Sequence, residues 1–280
     1  MLGSADDLTL LAPTLYAIKK MLTICEEYSI EYDVIYNSTK TVCMFFNGKR
    51  FYRDDPPDVY LNGTKLSWVR NVKHLGNYVS WDLTEESEIN AKMSDFIGRA
   101  NSLVANFKGI NRGIVSNIFR TQCYHLYGCQ AWSLGSKCID KFDVTWRKAV
   151  RKLWCIPNIA RSNILPELVD VLPVRAKAMH LFSNMYNTMC NSYNKKIKLL
   201  CKVSVYSDKK GIIGQNVAII SKQSACGFDK LIYKRTPSDN EMIARAISVK
   251  DITSCLEGSS FIENFTYEEL SMIKDYYACY

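Results

Sequence analysis

The sequence predicts an α+β fold: a hairpin, a helix and antiparallel strands, followed by an α-helical bundle and a mostly helical C-terminal region. Three observations predict it. The apolar residues Leu15, Ile18, Leu22, Cys25 and Tyr32 recur at helical spacing just after Pro13. Short apolar runs then break at Asn47-Gly48 and Asn62-Gly63, and Asn-Gly accepts positive φ at both turn positions, the backbone a tight hairpin needs. From Asp82 the apolar period changes from 2 to 3.6. These changes predict three segments, residues 1–82, 83–156 and 157–280.

In chain order, Leu2 to Leu11 encloses the acidic pair Asp6-Asp7 between apolar residues, a pattern suited to a hairpin with carboxylates near its tip. The first helix follows, with Lys19, Lys20, Glu26 and Glu27 on its remaining faces. Val42 to Phe46 is a strand, and Val59-Tyr60-Leu61 turns through Asn62-Gly63 into Thr64-Lys65-Leu66. A further β-rich stretch, Val72 to Trp81, carries His74-Leu75-Gly76 at its centre. The second helix places Ile89, Met93, Phe96, Ile97, Ala100, Leu103, Val104 and Phe107 on one stripe. Glu85, Glu86 and Glu88 fall in its first turns, where the helix dipole favours negative charge. Further helices are expected over about 114–128 and 137–154, the latter ended by Pro157, then after Pro173 and near 267–277.

Composition bounds the partners. With 280 residues and 48% hydrophobic content the chain can bury a core, and its formal charge of +8 favours an anionic partner. The 11 cysteines are an odd number without a C-x-x-C pair, and no basic and apolar leader opens the chain. Reduced thiols and an intracellular location, cytoplasmic or nuclear, are the expectation, with no signal peptide, no transmembrane segment and no membrane partner.

A second acidic pair, Asp54-Asp55, lies before Pro56-Pro57 and reads as solvated loop, since prolines cannot donate to a ladder. Asp6-Asp7 runs instead into Leu8, Leu10 and Leu11, a proline and a helix. Here the chain resembles the reverse transcriptases of non-LTR retrotransposons. "SADDLTLLAPTLYAIKKMLTICEEY" is similar to their palm hairpin and helix, "YNSTKTVCMFF" to the next palm motif and "VKHLGNYVS" to the motif that grips the primer strand, in the family's order over residues 3–81. Helical similarity, including "TWRKAVRKLWCIP", continues more loosely to about 170.

The resemblance implies an RNA-directed DNA polymerase, a nucleotidyltransferase using Mg²⁺, with RNA and DNA as partners. It implies Asp6 as principal metal ligand, Asp7 as auxiliary ligand, and Lys40 as proton donor to the leaving pyrophosphate, though a lysine before a strand is also often simply exposed. Leu75 and Gly76 match the primer grip, where a missing side chain lets backbone approach nucleic acid, and an ordinary turn glycine is the competing reading. Two departures stand out. Ser4 replaces the aromatic residue expected before Ala5, and the chain starts at this motif, so the expectation is a C-terminal fragment, inactive alone, that needs an upstream polymerase portion carrying the fingers and another aspartate. The alternative is a non-catalytic nucleic-acid-binding or helical interaction remnant.

Nucleotidyl transfer uses two metal ions about 4 Å apart, held by carboxylates from neighbouring strands. Adjacent residues on one strand point to opposite faces, so Asp6 and Asp7 cannot do this by themselves. In the helix at 137–154, Arg147 with Arg151 and Lys148 with Lys152 are four apart beside Trp146, Val150 and Leu153. Four exposed cations tracking a phosphate backbone is one reading and a solvated face is the other. The cluster Lys195, Lys196, Lys198, Lys202, Lys209 and Lys210 reads as a solubilising stretch. Cys123, His125, Cys129 and Cys138 match no zinc spacing, and the cysteines read as core thiols.

Overall fold

The computed structural model describes residues 2–4, 7–46, 56–159, 162–206 and 211–223. Asp6, Asp54-Asp55, Lys209, Lys210 and the helix expected near 267–277 lie outside the described residues. The chain is α+β and divides into two compact units, residues 1–84 and 85–280.

In the first unit β1 (Leu2–Ser4) and β2 (Asp7–Thr9) form an antiparallel hairpin in which Ser4 pairs with Asp7. Helix α1 (Leu15–Tyr32) starts where Thr14 accepts a hydrogen bond from the Ala17 amide at 3.2 Å and ends at Asp33, whose left-handed backbone lets its amide reach Ser29. Strands β3 (Val42–Cys43) and β6 (Ser67–Trp68) pair in parallel, which corrects the expectation of antiparallel strands throughout. Strands β4 (Tyr60–Leu61) and β5 (Thr64–Lys65) close around Asn62-Gly63, and β7 (Asn71–His74) and β8 (Asn77–Ser80) close around Leu75-Gly76, both antiparallel. Each described sheet therefore has two strands. Strands this short cover little by themselves, so the unit relies on a small core of Leu22, Val59, Leu61 and Leu66, flanked by Leu10, Leu15, Tyr36, Cys43 and Trp68.

The second unit is helical. Helix α2 (Glu86–Asn106) buries Ile89, Phe96, Ala100 and Leu103 as its stripe predicts, while Ile97 stays 39% exposed and Glu88 is buried beside Lys92, 3.5 Å away. The helix expected over 114–128 is shorter. Helix α3 (Arg112–Ile118) passes into a π-helical turn, Phe119–Cys123, and stops there. The reason is tertiary: buried Tyr124 donates its hydroxyl to the Leu172 carbonyl at 2.6 Å, and Gly128 turns the chain at φ +91°.

Helix α4 (Lys137–Trp154) has the expected bounds, with Ser136 capping its start and a left-handed Cys155 its end. Short α5 (Leu165–Val169), then α6 (Val174–Cys190), α7 (Lys195–Tyr206) and α8 (Ile212–Gln223) follow. The core is aromatic: Phe96 meets Phe119 edge-on at 5.8 Å and Phe142 at 5.5 Å, and Trp146 and Trp132 complete the cluster. Fully buried Asn216 accepts from the Leu134 amide and donates to the Trp132 carbonyl, both at 2.8 Å, tying α8 to the loop before α4. Among the described residues no helix is long and apolar enough to cross a membrane.

Candidate functional site

The first group of candidate residues lies on the hairpins of the first unit. Asp7 opens β2 and is exposed, and across from it in the register is Ser4, so β1 brings no second carboxylate to that position. At the other end of β2, Thr9 Oγ1 lies 3.2 Å from His74 Nε2 on β7. This hydrogen bond joins the strand that carries Asp7 to the strand that enters the Leu75-Gly76 turn, 65 residues away in sequence. Nothing local in the sequence pairs Thr9 with His74.

The turn itself is strained. Leu75 has φ +47° and Gly76 φ +81°, the positive pair of a type I′ turn. Glycine adopts this backbone freely, whereas in leucine the Cβ crowds the following carbonyl at a cost of about 1–2 kcal/mol. Leu75 is 47% exposed, so packing recovers only part of that cost. A bulky apolar side chain is held outward at a hairpin tip where asparagine would sit without strain.

Lys40 is exposed in the turn before β3. Asn37 builds that turn: its side-chain oxygen accepts from the Thr39 hydroxyl at 2.7 Å and from the Lys40 amide at 3.1 Å. This Asx turn directs the chain into the strand and was readable in Asn37-Ser38-Thr39. Nearby, burial pushes the Cys25 thiol of α1 up from its ordinary value, and the neighbouring Tyr36 hydroxyl offsets part of this.

The second group lies on α4 in the other unit. Lys148 is exposed and Arg147 half-buried. Arg147 also faces Asp143, which accepts from the Arg175 amide at the start of α6 at 3.3 Å. Burial pushes the Asp143 carboxyl up, and the α6 amides together with Arg147 and Arg175 pull it partly back. Arg151 departs from the expected exposed row: it is half-buried and donates to Ser162 Oγ at 2.7 Å. Lys152 donates to Asn101 Oδ1 of α2 at 3.0 Å. Two of the four cations thus hold α4 to its neighbours, because the positions one turn from the apolar stripe are also the positions nearest adjoining elements. Arg112 was not singled out by sequence reasoning, yet it donates to the Leu153 carbonyl at 2.9 Å and to Cys155 Sγ at 3.1 Å, closing the end of the same helix.

Cys123, Cys129 and Cys138 are buried in the helical core, and burial pushes the Cys129 thiol up to about 12. Among the described residues no group of three or more His, Cys, Asp or Glu side chains is placed to hold a metal ion. At the first hairpin the described carboxylate is Asp7, which is short of the donor set a pair of Mg²⁺ ions requires. In comparisons with known proteins, no family model, curated protein or solved structure matches the chain.

Proposed function

We propose that the chain is a nucleic-acid-binding portion of a polymerase similar to the reverse transcriptases of non-LTR retrotransposons, with residues 1–82 as the later part of the palm and 83–156 as a thumb-like bundle. The observation that carries this reading is the hydrogen bond between Thr9 and His74, because it sets the Asp7 strand beside the hairpin whose tip is Leu75-Gly76. A polymerase needs those two features together: carboxylates at the reacting phosphate and a turn that holds the primer strand against them. The strained, outward Leu75 supports the same reading, since local rules are most often broken where a site requires it.

In this reading the β7–β8 tip contacts the primer backbone, Gly76 permits close approach, and Leu75 packs on the sugar or base edge. Lys148 and Arg147 add sequence-independent attraction to phosphates. Nucleotidyl transfer is the activity the reading implies, with Asp6 and Asp7 as ligands and Lys40 as proton donor, completed by a carboxylate on a neighbouring strand. Among the described residues Asp7 is the carboxylate at this hairpin, so the set that would hold the ion needs further donors.

Fluorescence anisotropy with a labelled RNA–DNA primer–template tests the reading. Leu75→Asn is expected to weaken binding while the fold is retained, and Thr9→Val is expected to weaken it by releasing the β7–β8 hairpin. Wild-type affinity in both variants would remove the palm reading. Primer extension above background that is lost in Asp6→Asn would show that the chain completes its own metal site, whereas binding without extension would leave the non-catalytic form of the proposal.

A further inference from the structure

Helix α1 buries Leu22 and Cys25 and turns its opposite side outward. Along that side Tyr16, Lys20, Thr23, Glu27 and Ile30 follow at steps of four, three, four and three residues, the spacing of a seam along which a second helix packs. All five are exposed, Tyr16 at 77% and Ile30 at 84%. An apolar residue stands at each end of the seam, a cation and an anion stand inside them, and Thr23 lies at the centre. The two charges have no use within the helix, where neutralisation takes opposite charges three or four positions apart. Lys20 has Tyr16, Ala17, Thr23 and Ile24 at those positions, and Glu27 has Thr23, Ile24, Ile30 and Glu31. Among the described residues neither side chain enters an ion pair or a hydrogen bond. Glu31 also sits in the last turn, where the helix dipole disfavours an anion and no basic residue offsets it.

We propose that this face pairs with the same face of a second copy of the chain, the two α1 helices running antiparallel across a two-fold axis at Thr23. Each Lys20 then faces Glu27 of the second copy, each Tyr16 faces its Ile30, and the two Thr23 side chains meet at the axis, the self-complementary contact that a two-fold interface requires. Glu31 comes beside the first turn of the second copy's α1, where the dipole favours the anion that its own helix disfavours. Charge fixes both direction and register. Parallel helices would set Lys20 against Lys20, and an antiparallel slip of seven residues would set either Lys20 against Lys20 or Glu27 against Glu27.

Other occupants fit this face less well. A polyanion meets Glu27 and Glu31, and a wholly apolar partner strands Lys20 and Glu27 away from water without counter-charges. From Tyr16 to Ile30 the seam covers about 21 Å at the usual helical rise. A contact of that length lies at the small end of specific interfaces, and exposed ion pairs each add little, so the dimer is weak, concentration-dependent and sensitive to salt.

The inference stands apart from the polymerase reading and is tested without nucleic acid, by sedimentation velocity of the full chain over a micromolar concentration series at low salt. The wild type is expected to pass reversibly from monomer to dimer as concentration rises. Lys20→Glu and Glu27→Lys each set like charges against one another at both symmetric contacts, and each should weaken dimerisation about tenfold. The double exchange restores opposite charges and should return the affinity close to that of the wild type. All three variants alter exposed positions, and Lys and Glu have similar helix propensity, so circular dichroism and thermal unfolding of the monomer should stay unchanged. Carbodiimide coupling of mixed heavy- and light-isotope chains should yield a Lys20–Glu27 cross-link with one peptide of each label. A chain that stays monomeric across the series gives the face to another partner and overturns the inference. A dimer that ignores the single reversals, or that the double exchange fails to restore, overturns it as well.

Discussion

Residues 85–223 bury Phe96, Phe119, Phe142, Trp132 and Trp146 in one contiguous cluster, whereas residues 7–84 bury Leu22, Val59, Leu61 and Leu66 beneath sheets of two strands each. The helical unit is held by interlocking side chains from several elements. The hairpin unit is held more by turn geometry and by single hydrogen bonds such as Thr9 to His74. Two turns inside the hairpin unit sharpen this contrast. Asn62-Gly63 and Leu75-Gly76 both have positive φ at the two turn positions, +49° and +72° against +47° and +81°, yet only the first uses the residue that this backbone favours. The difference teaches that a unit with little core still carries backbone strain, at Leu75 on one hairpin tip and again at Leu83, φ +58°, whereas the other turn avoids it.

The largest expected effect is on the thick core. Phe142→Ala should cost the helical unit about 3–5 kcal/mol, because a ring packed against Phe96 and Trp132 leaves a cavity its neighbours cannot fill. Denaturant unfolding followed by the fluorescence of Trp132, Trp146 and Trp154 reads this, and a loss below about 1 kcal/mol would mean the cluster is far more plastic than its packing implies. Next, Leu61→Ala should remove about 2–5 kcal/mol from a unit whose core is a handful of side chains. Hydrogen exchange is expected to show residues 56–80 losing protection together while α4 keeps its own. Separate behaviour of the β4–β5 and β7–β8 hairpins would break the idea that this unit melts as one.

The paired turns come third. Leu75→Asn should stabilise the hairpin unit by about 1 kcal/mol, and Asn62→Leu should destabilise it by a similar amount, since each exchanges a favoured left-handed residue for a disfavoured one. Thermal unfolding of the two single variants and the double exchange measures both signs. A primer–template affinity that rises or stays constant in Leu75→Asn would leave the strain without the function proposed for it.

The smallest effect is in pH response, and it has opposite sign in the two units. The Asp82 carboxyl accepts from the Ser80 hydroxyl at 2.7 Å and the Thr84 amide at 3.1 Å, and these bonds hold it below its ordinary value. Its contribution is present above the unfolded-state value near 3.8 and is lost as pH falls through the lower folded value. Asp143 in the helical unit is raised instead, chiefly by burial. The folded state then holds that proton more tightly than the unfolded one, so its contribution is full below 3.8 and declines as pH rises through the folded value. Asp143→Asn should therefore remove the decline in the helical unit's stability that sets in as pH rises above 3.8 through the raised folded value. An unchanged slope in that variant would show that the α6 amides and the two arginines cancel the burial cost entirely.

Much of this architecture was written locally. The period change at Asp82, the bounds of α4, the Thr14 start of α1 and the Asn62-Gly63 turn all follow from residues within a few positions of one another, because they depend on backbone preference and on which face is apolar. The site was less legible. That His74 meets Thr9, that β3 pairs in parallel with β6, that the helix after Arg112 ends in a π turn at Cys123, that Glu88 is buried, and that Arg151 and Lys152 reach Ser162 and Asn101 were decided in three dimensions. Each depends on where a polar group removed from water finds its partner. For Thr9, Lys152 and Arg151 that partner lies 65, 51 and 11 residues away, beyond the reach of any local pattern.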